Sequence, residues 1–401
     1  MTQREVVFVD AVRTPFGRMG GTLRDFIASK LAGIAIQGLL GKTKIHEKAQ
    51  VDSVFLGSAT HCSHALNPAR WATLAGGLGY RTTASYVEMQ CGSAIDCINH
   101  AAWKILAGQA EIMIAGGMES YSQMAAKFSM STPPYSLIPP LPIAPQLSPV
   151  TDENIGMGIT AENLQQMYGI SREAQDEFSY RSQMRAKKAI ETHLFDEEIV
   201  PVIIPATKKT PEINFRIDEH VRPETTLKDL AKLAPAFKKD GTVTAGNSSG
   251  RNDGAAFVLM MTKEKAAELG YQAMAQWIGG AEYGVDPRIM GIAPAYALPV
   301  ALKRAGLKVS DLDIIECNEA FAVQNLAVIK ELEKQTNGKI DMEKWNPLGG
   351  AIAYGHPNGA SGARIGMFAM REMIRRGGKY AAFSSCCGGG LGVVTLIKNL
   401  R

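Results

Sequence analysis

Cys91 stands in Val87-Glu88-Met89-Gln90-Cys91-Gly92-Ser93-Ala94-Ile95, where an extended segment gives way to a helical pattern. Behind it Ala94, Ile95, Ile98, Ala101, Ala102 and Ile105 recur at the three-to-four spacing of a helix with one buried face. A cysteine at a helix start meets unpaired N–H groups and the positive end of the macrodipole, which favour the thiolate, the nucleophilic form. The effect is small. A helix terminus contributes about 0.3–1 kcal/mol, at most about 2, and one pKa unit is about 1.4 kcal/mol. The thiol pKa therefore falls by roughly one unit, and a nearby base is still required. A small cysteine here also fits plain core packing, so other segments must decide.

Three of them carry suitable chemistry. His356 lies in Gly355-His356-Pro357-Asn358-Gly359, held between glycine and proline just ahead of a helix pattern marked by Ala363, Met367, Met370 and Ile374. Such a fixed imidazole suits acid/base work. Cys386-Cys387 ends a strand before Gly388-Gly389-Gly390. A thiol at a glycine turn suits proton transfer, with glycine N–H groups free to hold an oxyanion, although either cysteine taken singly reads as inert. Asn318-Glu319-Ala320-Phe321 ends a strand with two polar side chains, where open α/β sheets place their ligands. His61, Cys62 and His64 have metal-ligand types but no fourth partner at suitable spacing, so no metal is expected.

The elements that must position these residues repeat. Residues 1 to about 119 alternate strand-like stretches (Val6–Asp10, Val51–Gly57, and a buried Glu111–Gly117 ending in a glycine turn) with helices, one opened by Asn67-Pro68. This alternation predicts an α/β domain with a largely parallel sheet. Composition then shifts. Seven prolines between Ser131 and Pro149 break regular structure, amphipathic helices follow around Ile170–Glu191, and charges cluster at Lys208-Lys209 and from Arg222 to Lys239. Thr242–Gly250 returns the chain to the sheet, with glycines that permit close approach. From about residue 275 the first pattern recurs: a strand at Leu312–Asn318, a helix opened by Gly359–Ala363, a strand at Tyr380–Ser384 and the turn Gly388–Gly390. The expected organisation is a first half of residues 1–119 plus 250–274, a loop domain of 120–249, and a duplicated half of 275–401, with equivalent ends facing each other.

Composition narrows the function class. The 401 residues, 46% hydrophobic and 20% charged, describe an ordinary soluble globular chain with room for two or three domains. Six cysteines argue for a reducing compartment, and a strand pattern beginning at Val6 leaves no space for a targeting segment, so a cytoplasmic location is expected. No apolar run reaches membrane-span length. A net charge of +4 is too small for a nucleic-acid protein but suits a polyanionic small substrate.

Six blocks in order resemble the signatures of the thiolase family: Cys91-Gly92-Ser93, Asn247–Gly250, Asn318–Ala322, Gly349–Ala353, Gly355–Gly362 and Cys386–Gly390. Val9–Gly17 is similar to the family's opening block, and the resemblance spans residues 6 to 396. It implies two α/β halves stacked as α-β-α-β-α layers, an inserted loop domain, and a homo-oligomer, usually a dimer of dimers. It also implies roles. Cys91 is acylated, His356 activates it and helps hold the second thioester oxygen, and Cys386 moves the proton at C2 of acetyl-CoA. Asn318 fixes a water in one oxyanion hole, and the N–H groups of Cys91 and Gly388 form the other. Arg222 meets the CoA nucleotide, Phe237, Ala245 and Ser249 line the pantetheine path, and Met157, Met290 and Phe321 border the substrate. No cofactor is bound permanently; coenzyme A and acetyl-CoA are substrates.

The sequence departs from the family pattern at Asn358, Cys387, Leu391, Ala94 and Asp229, and Gly156 replaces a histidine frequent in the acetoacetyl-specific branch. The expected reaction is reversible cleavage of 3-ketoacyl-CoA, as in fatty acid β-oxidation. The alternatives are an acetoacetyl-CoA-specific acetyltransferase, a decarboxylating condenser of the ketoacyl-synthase kind, and a non-catalytic CoA- or lipid-binding scaffold.

Overall fold

The computed structural model describes residues 4–60, 64–129, 139–208 and 210–401. In chain order it builds β1 (Val6–Arg13), α1 (Ala28–Thr43), β2 (Ser53–Gly57), α2 (Pro68–Ala75), β3 (Thr83–Val87), α3 (Ser93–Leu106) and β4 (Ile112–Ser120). Residues 120–249, an excursion from the first half, carry α4 (Met157–Tyr168) and α5 (Arg172–Glu191). Then come β5 (Asn252–Thr262), β6 (Ala275–Gly284), α6 (Pro294–Ala305), β7 (Ile314–Cys317), α7 (Ala322–Thr336), α8 (Asn358–Arg375), β8 (Tyr380–Cys387) and β9 (Leu391–Asn399).

These strands, with the short Gly17–Arg18 segment, form one ten-stranded sheet in the order β7-β8-β9-β6-β1-β5-β4-β2-β3. The path is near-symmetric about the antiparallel β1/β6 pair, which joins Val6–Phe8 to Ala275–Trp277. On one side β5 is antiparallel to both neighbours, and β4, β2 and β3 run parallel. On the other β9 is antiparallel to both neighbours, and β8 and β7 run parallel. An isolated parallel bridge, Ile315 to Trp345, stands where β3 stands in the first half. The duplication expected from the order of motifs is therefore present in the pairing itself.

Three cores make the layers. Alternation along β5 sends Ala255, Phe257, Leu259 and Met261 to a core shared with α1 and α2, and Ala256, Val258 and Met260 to a central core. The central core holds α3 and α8, packed between the strands of the two halves. Beyond the second set of strands, α6 and α7 close the third core with Ile315, Ala382 and Val394. Both faces of the strands are buried, which explains the continuous apolar run of β5.

Two sequence expectations change here. Residues of α3 expected on one buried face are indeed buried, but so are Asp96, Cys97 and Asn99, because a central-layer helix is covered from both sides. The second concerns Gly116-Gly117, which is not a turn: β4 runs straight through to Ser120. These glycines serve close approach instead, since a Cβ at Gly117 would fall 1.9 Å from the carbonyl oxygen of Gly359.

Candidate active site

The segments after the C-terminal ends of the parallel strands meet at one place, the usual ligand edge of an open α/β sheet. From the first half come Ser58–Thr60 after β2, Glu88–Cys91 after β3 and Glu119–Tyr121 at the end of β4. The second half supplies Asn318–Phe321 after β7 and Cys386–Gly390 at the end of β8. The Gly355–Pro357 turn, just ahead of α8, joins them.

Cys91 sits in a single 3-10 turn, Gln90–Gly92, that runs into α3. Gln90 holds φ +48, a left-handed conformation uncommon for a side-chain-bearing residue, and it turns the chain sharply at the cysteine. Among the five described cysteines, all free, Cys91 alone is not fully buried. The N–H groups of Cys91 itself and of Gly388 lie within hydrogen-bond reach of its sulfur. The helix-start effect expected to acidify this thiol is outweighed. Burial first, and then the nearby charge of Glu119, push its pKa up to about 12, so at neutral pH it is a thiol that needs a base.

His356 is fixed through its backbone and both ring nitrogens. Gly355, at φ +88, delivers the chain, and the His356 N–H donates to Gly250 O (3.1 Å) and Asn252 Oδ1 (3.0 Å). Its Nδ1 lies 2.6 Å from Ser361 Oγ, and its Nε2 lies 3.3 Å from Asn318 Nδ2. Burial, reinforced by the Arg364 charge, lowers its pKa to about 3, so the imidazole is neutral. Arg364 and Glu316 are each other's leading charge partner, both buried. Neither the guanidinium nitrogens nor the carboxylate oxygens find a hydrogen bond among the described residues.

Strand alternation separates the adjacent thiols. Cys387 enters the central core, where a Cβ at Gly92 would fall 2.5 Å from its sulfur. Cys386 enters the core shared with α6 and α7. Burial raises both thiol pKa values. Asn318, also buried, leaves Oδ1 without a partner among the described residues. Glu319 does not face this place; it accepts from Ser182 Oγ (2.6 Å) and Asn346 Nδ2 (3.0 Å), tying α5 to the second half.

The Asn247–Arg251 loop threads between two of the blocks. Ser249 N–H donates to Ala320 O (3.0 Å), and isolated bridges join Ser248 to Phe321 and Arg251 to His356. Phe237 is 45% exposed, lies over Gly158, and meets Phe321 edge-on at 6.1 Å between centroids. Met157 and Met290 share the apolar cluster of Phe321. The fold thus gathers Phe237, Phe321, Met157, Met290 and Ser249. Arg222 and Ala245 are exposed, and Arg222 is held by its backbone N–H to Gln183 Oε1 (2.9 Å). A cleft of about 860 Å³ is lined by Glu88, Gln90, Tyr121, Leu147, Gly388 and Leu391. His61 and Cys62 lie outside the described residues.

Sequence reasoning missed Glu119, Asn252, Ser361 and the Arg364–Glu316 pair. Glu119 left one signal, an acid ending an otherwise apolar strand at the ligand edge. Ser361 lies five residues from its partner His356, while Asn252 and the Arg364–Glu316 pair are seen only as partners of residues far away in the chain.

The family model described as "Thiolase, N-terminal domain" matches residues 6–264, and "Thiolase, C-terminal domain" matches residues 271–399. The chain is 44% identical to an acetyl-CoA acetyltransferase of Syntrophomonas wolfei, over 99% of this chain and 100% of that protein. A crystal structure of the Bacillus anthracis acetyl-CoA acetyltransferase is similar, with TM-score 0.90 and 39% identity over 99% of each chain. So is one of human mitochondrial 3-ketoacyl-CoA thiolase in complex with CoA, with TM-score 0.88 and 38% identity over 100% of this chain and 99% of that one.

Proposed function

The chain belongs to the thiolase family and is a CoA-dependent acyltransferase, and we propose that it reversibly cleaves 3-ketoacyl-CoA to acyl-CoA and acetyl-CoA. The Cys91 sulfur attacks the 3-keto carbon while His356 Nε2 takes the thiol proton. The C2–C3 bond then breaks, and Cys386 gives its proton to C2 of the departing acetyl-CoA enolate. CoA thiol gives its proton to the Cys386 thiolate and attacks the Cys91 thioester; acyl-CoA leaves, and His356 returns its proton to the Cys91 sulfur, restoring both cysteines. A thiol with its pKa at about 12 and an imidazole that rests neutral favour proton transfer in step with attack over a resting ion pair. The N–H groups of Cys91 and Gly388 serve one oxyanion; Asn318 with a water, and His356, serve the other. Each such donor is typically worth about 3–4 kcal/mol.

The observation that carries this reading is the convergence at Cys91: the N–H groups of Cys91 and Gly388 within reach of its sulfur, and Cys387 from the other half packed against Gly92, its chain neighbour. Residues 120–249 act as the CoA-binding loop domain, with the adenine end toward Arg222 and pantetheine passing Phe237, Ala245 and Ser249. Met157, Met290 and Phe321 border the acyl chain. The half-exposed edge of β3 leaves a strand to be paired, which supports a homo-oligomer, proposed as a dimer of dimers. No helix among the described residues is long and apolar enough to cross a membrane. A cytoplasmic place in fatty acid breakdown fits the free thiols.

Thiolysis measured over a series of 3-ketoacyl-CoA lengths tests the reading, with Cys91→Ser as control. Turnover of chains longer than four carbons, lost in the control, is expected. Activity confined to acetoacetyl-CoA would replace the proposal with the acetoacetyl-specific enzyme, and full activity of Cys386→Ala would favour a decarboxylating condenser.

A further inference from the structure

Glu119 is fully buried at the end of β4 and has no part in the chemistry above, yet its carboxylate is bonded to both halves of the molecule. Its Oε1 accepts from Ser58 Oγ (2.9 Å), from Thr60 N–H (3.2 Å) and from the Thr60 hydroxyl. Its Oε2 accepts from Ala59 N–H (2.8 Å) and from Gly359 N–H (3.0 Å), 240 residues further along the chain.

The last bond matters because α8 has no cap of its own. Its N-cap residue is Pro357, which makes no side-chain cap hydrogen bond, and Gly359 carries one of the N–H groups that a helix start leaves unpaired. A negative charge there is favoured by the helix dipole. Backbone contact leaves little freedom around it: a Cβ at Gly359 would fall 2.4 Å from Met118 O and 2.7 Å from Gly57 O. The first turn of α8 is thus pressed directly on β4 and β2, and His356 stands three residues before the capped N–H.

We infer that Glu119 is a positioning residue for acyl transfer: its carboxylate caps α8 from the opposite half and so fixes where His356 stands relative to Cys91. The inference rests on reading Cys91 and His356 as the reacting pair. Three backbone N–H donors converge on the carboxylate, which favours its ionised form although burial raises its pKa. That charge also acts on Cys91 and Tyr121, raising both pKa values. The same group therefore adds to the burial that keeps the nucleophile a thiol, and it seats the base.

The test is Glu119→Gln, which keeps the shape, removes the charge and leaves one oxygen for donors that now occupy two. Two readouts are taken: thiolysis kinetics, and the pH dependence of iodoacetamide alkylation mapped to Cys91. Thiolysis kcat should fall on the order of 10- to 100-fold with little change in KM for CoA, the scale expected of a base misplaced by about 1 Å. The alkylation profile should move to lower pH by about one unit, since an opposing charge is gone while Glu88, Tyr121, Cys386 and Cys387 still face the thiol. Glu119→Asp should keep the wild-type alkylation profile but not the wild-type kcat. Wild-type kcat together with an unshifted profile in Glu119→Gln would overturn the inference. Should that variant fail to fold, Ser58→Ala decides, because it removes one donor and leaves the charge. A several-fold lower kcat at unchanged KM supports the clamp, and an unchanged kcat sinks it. Thiolysis surviving in Cys91→Ser would instead break the underlying reading, whatever Glu119 does.

Discussion

His356 Nδ1 and Ser361 Oγ lie 2.6 Å apart, and the same hydroxyl lies 3.1 Å from the carbonyl oxygen of Pro357. A hydroxyl that gives its proton to that carbonyl must accept from Nδ1–H. The network thereby assigns the tautomer: Nδ1 carries the proton, and the Nε2 lone pair faces Asn318 Nδ2. A residue inside the first turns of α8 thus prepares the base that precedes the helix.

Ser361→Ala should leave the buried Nδ1–H without a partner. An unmet buried donor costs about 1–3 kcal/mol, so chemical denaturation should show a loss of that size. Thiolysis kcat should drop on the order of tenfold as the ring loses its tautomer and orientation, with KM for CoA nearly unchanged. A variant with wild-type kcat would show that Ser361 does not set the tautomer.

Acid should weaken the fold through His356. Its pKa is lowered in the folded state from 6.5 to about 3. Between those values the unfolded chain takes up a proton that the folded one refuses, so stability is complete above pH 6.5 and is lost as pH falls toward 3. The contribution is on the order of a few kcal/mol. His356→Asn should flatten that part of the stability–pH curve, measured by urea unfolding at several pH values. An equally steep curve in the variant would assign the acid sensitivity elsewhere.

Asp96 should behave with the opposite sign. It lies on α3 within 4.8 Å of His100 and Glu282, and burial, with Glu282 adding to it, raises its pKa from 3.8 to about 6. Its folded form binds a proton more readily than the unfolded chain, so its contribution is full below pH 4 and is lost as pH rises through 6. Asp96→Asn should then stabilise the protein at pH 7–8 by about 1–3 kcal/mol and gain little at pH 4. Thermal unfolding at the two pH values checks this, and destabilisation at pH 8 would contradict it.

Arg13 should be costly to remove. Fully buried on β1, it donates to Glu198 Oε1 (2.6 Å) and to Asp218 Oδ1 and Oδ2 (2.7 and 2.9 Å), both in the excursion. Arg13→Met would take the bidentate partner from Asp218 and leave Glu198 only its 3.6 Å pairing with Arg371, at roughly 3–5 kcal/mol for a broken buried pair. Urea unfolding should show that loss; a change below about 1 kcal/mol would mean that the excursion docks without this network.

Much of this site was legible because its parts are local. Cys91 before an apolar helix pattern, His356 between glycine and proline, and two thiols before three glycines each carry their signal within ten residues. The side-chain patterns likewise located β1, β2, β4, β7 and β8 and the helices α3, α5 and α8, but left β5, β6 and β9 unread. Gly116-Gly117 was misread as a turn because a glycine pair looks the same whether the chain bends there or another backbone, here that of Gly359, presses on it.

By itself the sequence determined the order of the blocks, the duplicated strand and helix pattern, and the residue types at each strand end, since all of these follow from side-chain period and local turn chemistry. Only the tertiary structure decided the ionisation states and the alignment of the pieces. Burial and the charge of Glu119 raise the Cys91 thiol against the pull of its helix start, and a carboxylate from one half caps a helix of the other. Desolvation and long-range hydrogen bonds depend on which segments meet in space, and no window along the chain contains both partners.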